Sequence, residues 1–394
     1  MKNLVNYFSW NYFSKLNHNE NIFYSPLGIV TALSIIANGA SGNTQSNILQ
    51  ALRVNNIEGL NMAFENFLRD IRINYRDGKK FFPSNLITIA QDFVTAPLNA
   101  EFKNIVEGVY NSDIRSADFK NNLEIVRQKI SEWIDEKTEH FITNYNSQVT
   151  IDTLMNLLNV VYFKGDWDKP FNANDTHEEN FHNVDKSKCK VEMMSKKFSD
   201  LRYFTDKNYK AVELPYKKNF GQTIAAMYLI ISEKEFTIDS WINESIDYKE
   251  NFLRSLMSAD FKEVKLKMPK FNLDIENRIK EILIAMGIDK IFNEDANFSN
   301  MIYNLHLKID EINHRAKIKI DETGTEAAAV TESIMLLAMP PQFSDVKEFY
   351  IDRPFAFVIR DINSGVDLFV GVVNNLSKGD RSGNIIKSWI EKFF

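Results

Sequence analysis

The side chains that most often carry chemistry are sparse in this chain, and their spacing argues against the commoner sites. Two of the six histidines, His177 and His182, stand in HEENFH, five positions apart. A helix that presents two histidines to one zinc ion needs them four apart, so no metal site is expected. The single cysteine, Cys189, lies between Lys188 and Lys190. Their charge would favour a thiolate, but one thiol can form no disulfide within the chain, and it is read as an incidental surface or strand residue. GASGNT (residues 39–44) lacks the lysine of a phosphate-binding loop and reads as the end of a helix. Arg69, Arg72, Arg76, Lys79 and Lys80 form a basic run, but Asp70 and Asp77 dilute it. A solvated helix face accounts for the run, and no glycosaminoglycan partner is expected. Sequons at Asn174, Asn243, Asn297 and Asn375 carry little weight in so asparagine-rich a chain. Nothing here supports an enzyme or a cofactor.

One stretch is unlike the rest. DETGTEAAAVTESIMLLAMPP (residues 321–341) begins acidic, becomes small and alternating, turns apolar and stops at two prolines. In an extended conformation, Thr325, Ala327, Ala329, Thr331 and Ser333 share one face. Glu326, Ala328, Val330 and Glu332 share the other, so every charge falls on one side. No proline or glycine interrupts residues 325–338, and each amide could join a ladder. Alanine is a poor choice for a permanent strand, but small residues suit a strand that must slide between two others. The same residues also read as the start of a helix, since alanine favours helix.

The elements around this stretch belong to one large domain. The chain has 394 residues, is 44% hydrophobic and carries a net charge of −6, with a pI near 5.7. A core of that size excludes disorder, and the mildly acidic balance argues against a nucleic-acid partner. MKNLVNYFSWNYFSK lacks the apolar run and small-residue cleavage site of a signal peptide. It reads as an amphipathic helix with Val5, Phe8, Ser9, Tyr12 and Phe13 on one side. Residues 27–37 are too few to span a bilayer. A cytoplasmic location, or export without a cleaved signal to the extracellular space or cell surface, is expected. Helices are predicted over residues 26–38, ending at Gly39, and over EIVRQKISEWIDEKTEHF, with Ile125, Ile130, Trp133, Ile134 and Phe141 near one face. From about residue 157 the texture turns to strands: LLNVVYFKG, AVELPY, TIAAMYLIIS, VKLKMPKF and FAFVIR. IENRIKEILIAMGI is predicted to return to helix and end at Gly287. Length alone allows two or three domains, but no linker or repeat divides the chain. The class expected is a single α+β domain with mostly antiparallel sheets.

These landmarks carry a resemblance. IDETGTEAAAVT is similar to the hinge of the reactive-centre loop of serpins. NIFYSPLGIVTAL (residues 21–33) resembles the serpin shutter segment, and NVVYFKGDWDKPF (159–171) a central strand with its following turn. VELPY (212–216), MPKF (268–271) and RPFAFVIRDINSGVDLFVGVVNN (353–375) resemble later landmarks in the family's order. Each motif is weak alone; order and spacing make the match specific. The resemblance implies the serpin fold: a large, mostly antiparallel central sheet, further sheets, about nine helices and an exposed reactive-centre loop, here about residues 322–345 of a domain spanning 1–378. It implies a suicide inhibitor of serine proteases, or of a cysteine protease, whose cleaved loop inserts into the sheet as a new strand and traps the acyl-enzyme. Counting fifteen residues from Gly324 implies a scissile bond at Ala338–Met339, with Leu336 and Leu337 adding specificity. No Arg or Lys occurs in residues 324–346, so the partner expected is elastase-like or chymotrypsin-like.

The resemblance also assigns a hinge of Glu322, Gly324, Thr325, Glu326, Ala327, Ala328, Ala329 and Thr331. It implies a shutter of Ser25, Asn159 and His314, and an ion pair of Lys270 with Glu322 at the hinge base. The chain departs from the family at Gly28, where serine is usual, at Glu192, where proline often stands, and at Asn375, again in place of proline. A non-inhibitory carrier, chaperone or interaction protein is the rival reading. Small residues on the inserting face favour inhibition. Residues 379–394 continue past the usual end and are expected to form an amphipathic helix. Ile385, Ile386, Trp389, Ile390, Phe393 and Phe394 would lie on one half, docked on the body or on a lipid surface or partner.

Overall fold

The computed structural model describes residues 1–75, 80–90, 98–218, 221–233, 238–303, 307–325 and 345–377. At its centre is α2 (Pro26–Gly39), buried at every residue. Ser25 caps it by accepting from the Gly28 amide, and Pro26 occupies the first turn, where a missing N–H costs nothing. α1 (Lys2–Phe13) buries the predicted face together with Asn6 and Trp10. Asn6 can be buried because its amide donates to Gly365 O at 3.0 Å and accepts from Asp367 N at 3.0 Å.

Two sheets surround α2. One runs β1 (Ile22–Tyr24), β15 (Asp367–Val373), β14 (Phe355–Asp361), β8 (Ala225–Ser232), β7 (Tyr209–Pro215), β6 (Lys188–Thr205), β9 (Phe261–Pro269) and β13 (Lys347–Tyr350), with β5 (His177–His182) added to β6. β8, β14 and β15 are buried throughout, which their nearly unbroken apolar sequence permits. Arg360 survives in β14 because Asp367 accepts from Nε at 2.6 Å and Glu250 from a terminal nitrogen at 3.2 Å.

The second sheet runs β10 (Phe271–Arg278), β11 (Glu311–Ile320), β12 (Gly324–Thr325), β4 (Met155–Asp166), β2 (Lys80–Ala90) and β3 (Asp113–Ala117). β11 and β4 are parallel neighbours, as are β2 and β3; the other pairs are antiparallel. Its outer face is covered by α6 (Leu123–Lys137), whose Val126, Ile130, Trp133 and Ile134 pack with Leu86, Leu158 and Val160. The α+β expectation is met, with nine α-helices among the described residues.

Local readings needed three corrections. Ile125 is 51% exposed, because Val126 begins the buried stripe one position later. Phe141 lies beyond the end of α6. The helix expected over IENRIKEILIAMGI is only α9 (Lys280–Ala285), since Ile275 to Arg278 pair with β11 and complete β10. HEENFH is β5, a strand whose two histidines do not converge. Among the described residues no helix is long and apolar enough to cross a membrane, and no cluster of His, Cys, Asp or Glu could hold a metal ion. Arg69 and Arg72 lie on α4 (Ile57–Asn74); Arg76 and Lys79 fall outside the described residues.

Candidate functional site

The second sheet is closed over part of its length and entered over the rest. Glu311 to Ala316 of β11 stand directly opposite Asn156 to Val161 of β4. Beyond that point the strands are wedged apart by β12, with Thr325 opposite Ile320 on one side and Gly165 on the other. The offset between β11 and β4 partners is the same in the closed part as across this wedge. Widening the join by one strand would therefore require separation without sliding.

The turn that starts the wedge is held at every residue. Asp321 Oδ1 accepts from Thr323 N at 2.9 Å, Thr323 Oγ1 at 2.6 Å and Gly324 N at 3.3 Å, an aspartate-capped turn. Trp167 donates its backbone N–H to Thr323 O at 2.9 Å and its indole N–H to Asp321 O at 3.0 Å. Phe171 N donates to Glu322 O at 2.8 Å. Gly324 lies against the backbone of β4: a Cβ there would overlap Gly165 O and come within 2.7 Å of Asp166 Cα. Glycine is required by that close approach. Thr325 is 0% exposed, and its hydroxyl is 2.8 Å from Tyr216 Oη. Tyr216 in turn stacks on Trp167, with centroids 4.7 Å apart.

Glu322 at the base of the turn meets Lys270 Nζ at 3.2 Å and accepts from Thr176 Oγ1 at 2.8 Å. Burial alone would raise its carboxyl. Hydrogen bonds from its own backbone N–H and from Thr176, with the charge of Lys270, outweigh that and hold it below the usual range. Glu192, one of the three departures from the family pattern, places a second carboxylate 3.7 Å from Lys270.

Below the wedge lies a buried polar cluster. Ser25 N donates to His314 Nε2 at 3.0 Å, and His314 Nδ1 is 2.6 Å from Asn159 Oδ1. Ser25 Oγ donates to Leu368 O of β15 at 2.7 Å, tying the cluster to the other sheet. His314 and Asn159 are register partners across the closed join. Burial pushes the His314 pKa down to about 3. The ring is therefore neutral near pH 7. An unfolded or opened chain takes up a proton below about 6.5 while the closed form does not. The closed form keeps the full contribution above that pH and loses it, by about 1.4 kcal/mol per unit, as pH falls towards 3. Asp367, raised to about 6 by burial, acts in the opposite sense. The prediction is thus a difference: the stability advantage of the wild type over His314→Gln should shrink by about 2 kcal/mol between pH 6.5 and 5. Denaturant melts at the two pH values check this, and a pH-independent difference would contradict it.

Of the residues assigned from sequence, the structure brings together Ser25, Asn159 and His314, and separately Lys270 with Glu322. It places Gly324 and Thr325 between β11 and β4. Glu326, Ala327, Ala328, Ala329, Thr331, Leu336, Leu337, Ala338 and Met339 lie outside the described residues, as do residues 378–394. Trp167, Tyr216 and Asp321 sit inside quoted motifs without carrying a signal of their own, and Thr176 lies outside them.

The fold is thus two sheets packed around α2, with Gly324 and Thr325 set between β11 and β4 of one and β13 on the edge of the other. Residues 3–376 match the family described as Serpin (serine protease inhibitor), and the chain belongs to that family. Its members are protease inhibitors rather than enzymes. The chain is 30% identical over 373 residues to the leukocyte elastase inhibitor of Xenopus laevis, covering 93% of this chain and 96% of that one. It resembles the native state of tengpin, a thermophilic serpin, with TM-score 0.84 and 26% identity, covering 95% of this chain and 93% of the other. It also resembles thyroxine-binding globulin in complex with thyroxine, with TM-score 0.83 and 25% identity over 95% and 98%.

Proposed function

We propose that this chain is a suicide inhibitor of elastase-like or chymotrypsin-like proteases, cut at Ala338–Met339 in an exposed loop. The protease forms an acyl-enzyme with Ala338. The freed hinge then inserts between β11 and β4 and carries the protease away before water can deacylate it. The observation that carries this reading is the threaded hinge: Gly324 and Thr325 already occupy the slot, and the register beyond them is in step on both sides. Continued down the slot, that register puts Thr331 opposite both Asn159 and His314, so a hydroxyl would arrive where their bond is broken. Insertion of about a dozen residues adds hydrogen bonds on both edges, and at roughly 1 kcal/mol each the gain exceeds about 10 kcal/mol. That rivals the whole stability of a domain.

The rival reading is a carrier, for which the likeness to thyroxine-binding globulin is the support. It does not call for a small-residue face on residues 325–333, and inhibition does. The extension 379–394 has no part in this mechanism. The test is incubation with a panel of elastase-like, chymotrypsin-like, trypsin-like and papain-like proteases, read as SDS-stable complexes. Bands with the first two classes, unchanged on deletion of 379–394, are expected. Loop cleavage with no stable complex would favour the carrier.

A further inference from the structure

We propose that Asn85, on β2, is a positioning residue that sets how firmly the sheet stays closed. The proposal rests on the insertion reading above. Two side-chain bonds cross the β11–β4 join among the described residues: Asn313 to Asn156 at 3.2 Å, and His314 to Asn159 at 2.6 Å. The second holds only if the Asn159 amide points one way. The Ser25 backbone N–H can only donate, so His314 Nε2 accepts and the ring proton sits on Nδ1. That proton needs the oxygen end of Asn159, which turns the amide nitrogen towards β2. There Asn85, the cross-strand partner of Asn159, accepts from it at 2.8 Å. Asn85 Nδ2 donates to Ser112 Oγ at 3.2 Å, and Ser112 Oγ donates to Tyr110 O at 3.0 Å.

All donors in this chain run one way, from a backbone N–H at the cap of α2 to a backbone carbonyl before β3. Neither end can reverse. Asn85, Asn159 and His314 are 0% exposed and Ser112 is 2% exposed, so water does not substitute for a missing partner. No side chain from α2 shares the Asn159 amide: a Cβ at Gly28 would lie 2.5 Å from Asn159 Oδ1. Without Asn85, the Asn159 NH₂ group would be left buried and unpaired. A reversed amide would set that group against His314 Nδ1–H. Asn85 acts through Asn159 on the bond that must break for insertion. Its removal should weaken the closed state without touching the loop that a protease sees.

The test uses the full-length chain and a synthetic peptide, TEAAAVTESIMLLA, with the sequence of residues 325–338. Its uptake into the sheet is followed as the gain in thermal stability of the protein. Asn85→Leu should take up peptide about tenfold faster than wild type, the fold-change of one lost buried hydrogen bond. Acylation by a target protease should be unchanged. Asn85→Asp distinguishes positioning from mere packing. The neutral acid presents C=O to Asn159 and O–H to Ser112, as the amide does; the ionised form cannot donate to Ser112. Its uptake relative to wild type should be fast at pH 8 and near one at pH 5.5. His314, the titrating ring in the chain, stays neutral across that range. A folded Asn85→Leu that takes up peptide at the wild-type rate, or an Asn85→Asp ratio that does not change with pH, overturns the proposal. Should Asn85→Leu fail to fold, Asn85→Asp and Ser112→Ala decide. If the wild type takes up no peptide, the insertion reading itself falls.

Discussion

Thr325→Arg should turn this chain from an inhibitor into a substrate. The side chain at position 325 is fully buried, its hydroxyl paired with Tyr216 and its backbone set between Ile320 and Gly165. An arginine cannot be accommodated there in the intact chain, so the hinge would start outside the slot, and insertion would have to bring an unpaired charge into a site sized for a small residue, at a cost of several kcal/mol. Each 1.4 kcal/mol is about a factor of ten in rate if it falls on the insertion step. The loop would still be cut, and deacylation would win the race. The number of inhibitor molecules consumed per protease trapped should rise at least about tenfold. Glu326→Arg is the control. If the register at Thr325 continues on insertion, position 326 would come to the outer face, opposite Lys164 and Lys319. Like charges near that exposed edge cost under about 1 kcal/mol. Equal effects of the two substitutions, or none from either, would refute the alternating strand.

Ala338→Arg should redirect the inhibitor. Primary specificity is chosen by the side chain that enters the protease pocket. A trypsin-like pocket rejects alanine because its buried carboxylate would be left unpaired. Association with trypsin-like enzymes should rise by at least about a hundredfold, with a comparable fall for elastase-like ones. In the unaltered chain the fragment released by an elastase-like protease should begin at Met339 by mass spectrometry. A fragment beginning after Met335 or Met339 would show that the loop is read in a different frame.

How much of the fold is legible in the sequence follows the range of the interactions that build it. α2 was legible because its signals are local: Ser25 as cap, Pro26 in the first turn and the end at Gly39. The residues before α9 have helical periodicity, but Ile275 to Arg278 pair with β11, whose partners lie more than thirty positions away, and only Lys280–Ala285 remain helical. Ile125 and Val126 are both apolar, and only the packing of Trp133 against the sheet decides which is buried. The polar site divides the same way. Motif order pointed to Ser25, Asn159, His314, Lys270 and Glu322, and the structure brings these side chains together in two groups. Asn85 carried no signal: an asparagine in FFPSNLITIA reads as a strand blemish until β2 is laid against β4. Trp167 and Tyr216 lay inside quoted motifs, yet their contact with the turn at Asp321 spans more than a hundred residues. Glu192, where the family often has proline, faces Lys270 at 3.7 Å, a contact its sequence position does not announce.

Under the proposed mechanism, the sheet holding β11 and β4 gains a strand once the chain is cut between residues 326 and 344. The most direct measurement is the thermal unfolding of the chain before and after limited cleavage between residues 326 and 344, with both fragments retained. A gain above about 10 kcal/mol, at roughly 1.2 °C per kcal/mol for a chain of 394 residues, predicts a rise of about 12 °C or more. A cleaved chain that unfolds at the same temperature as the intact one, or below it, would contradict the account, because a hinge that stays outside the sheet adds nothing to it.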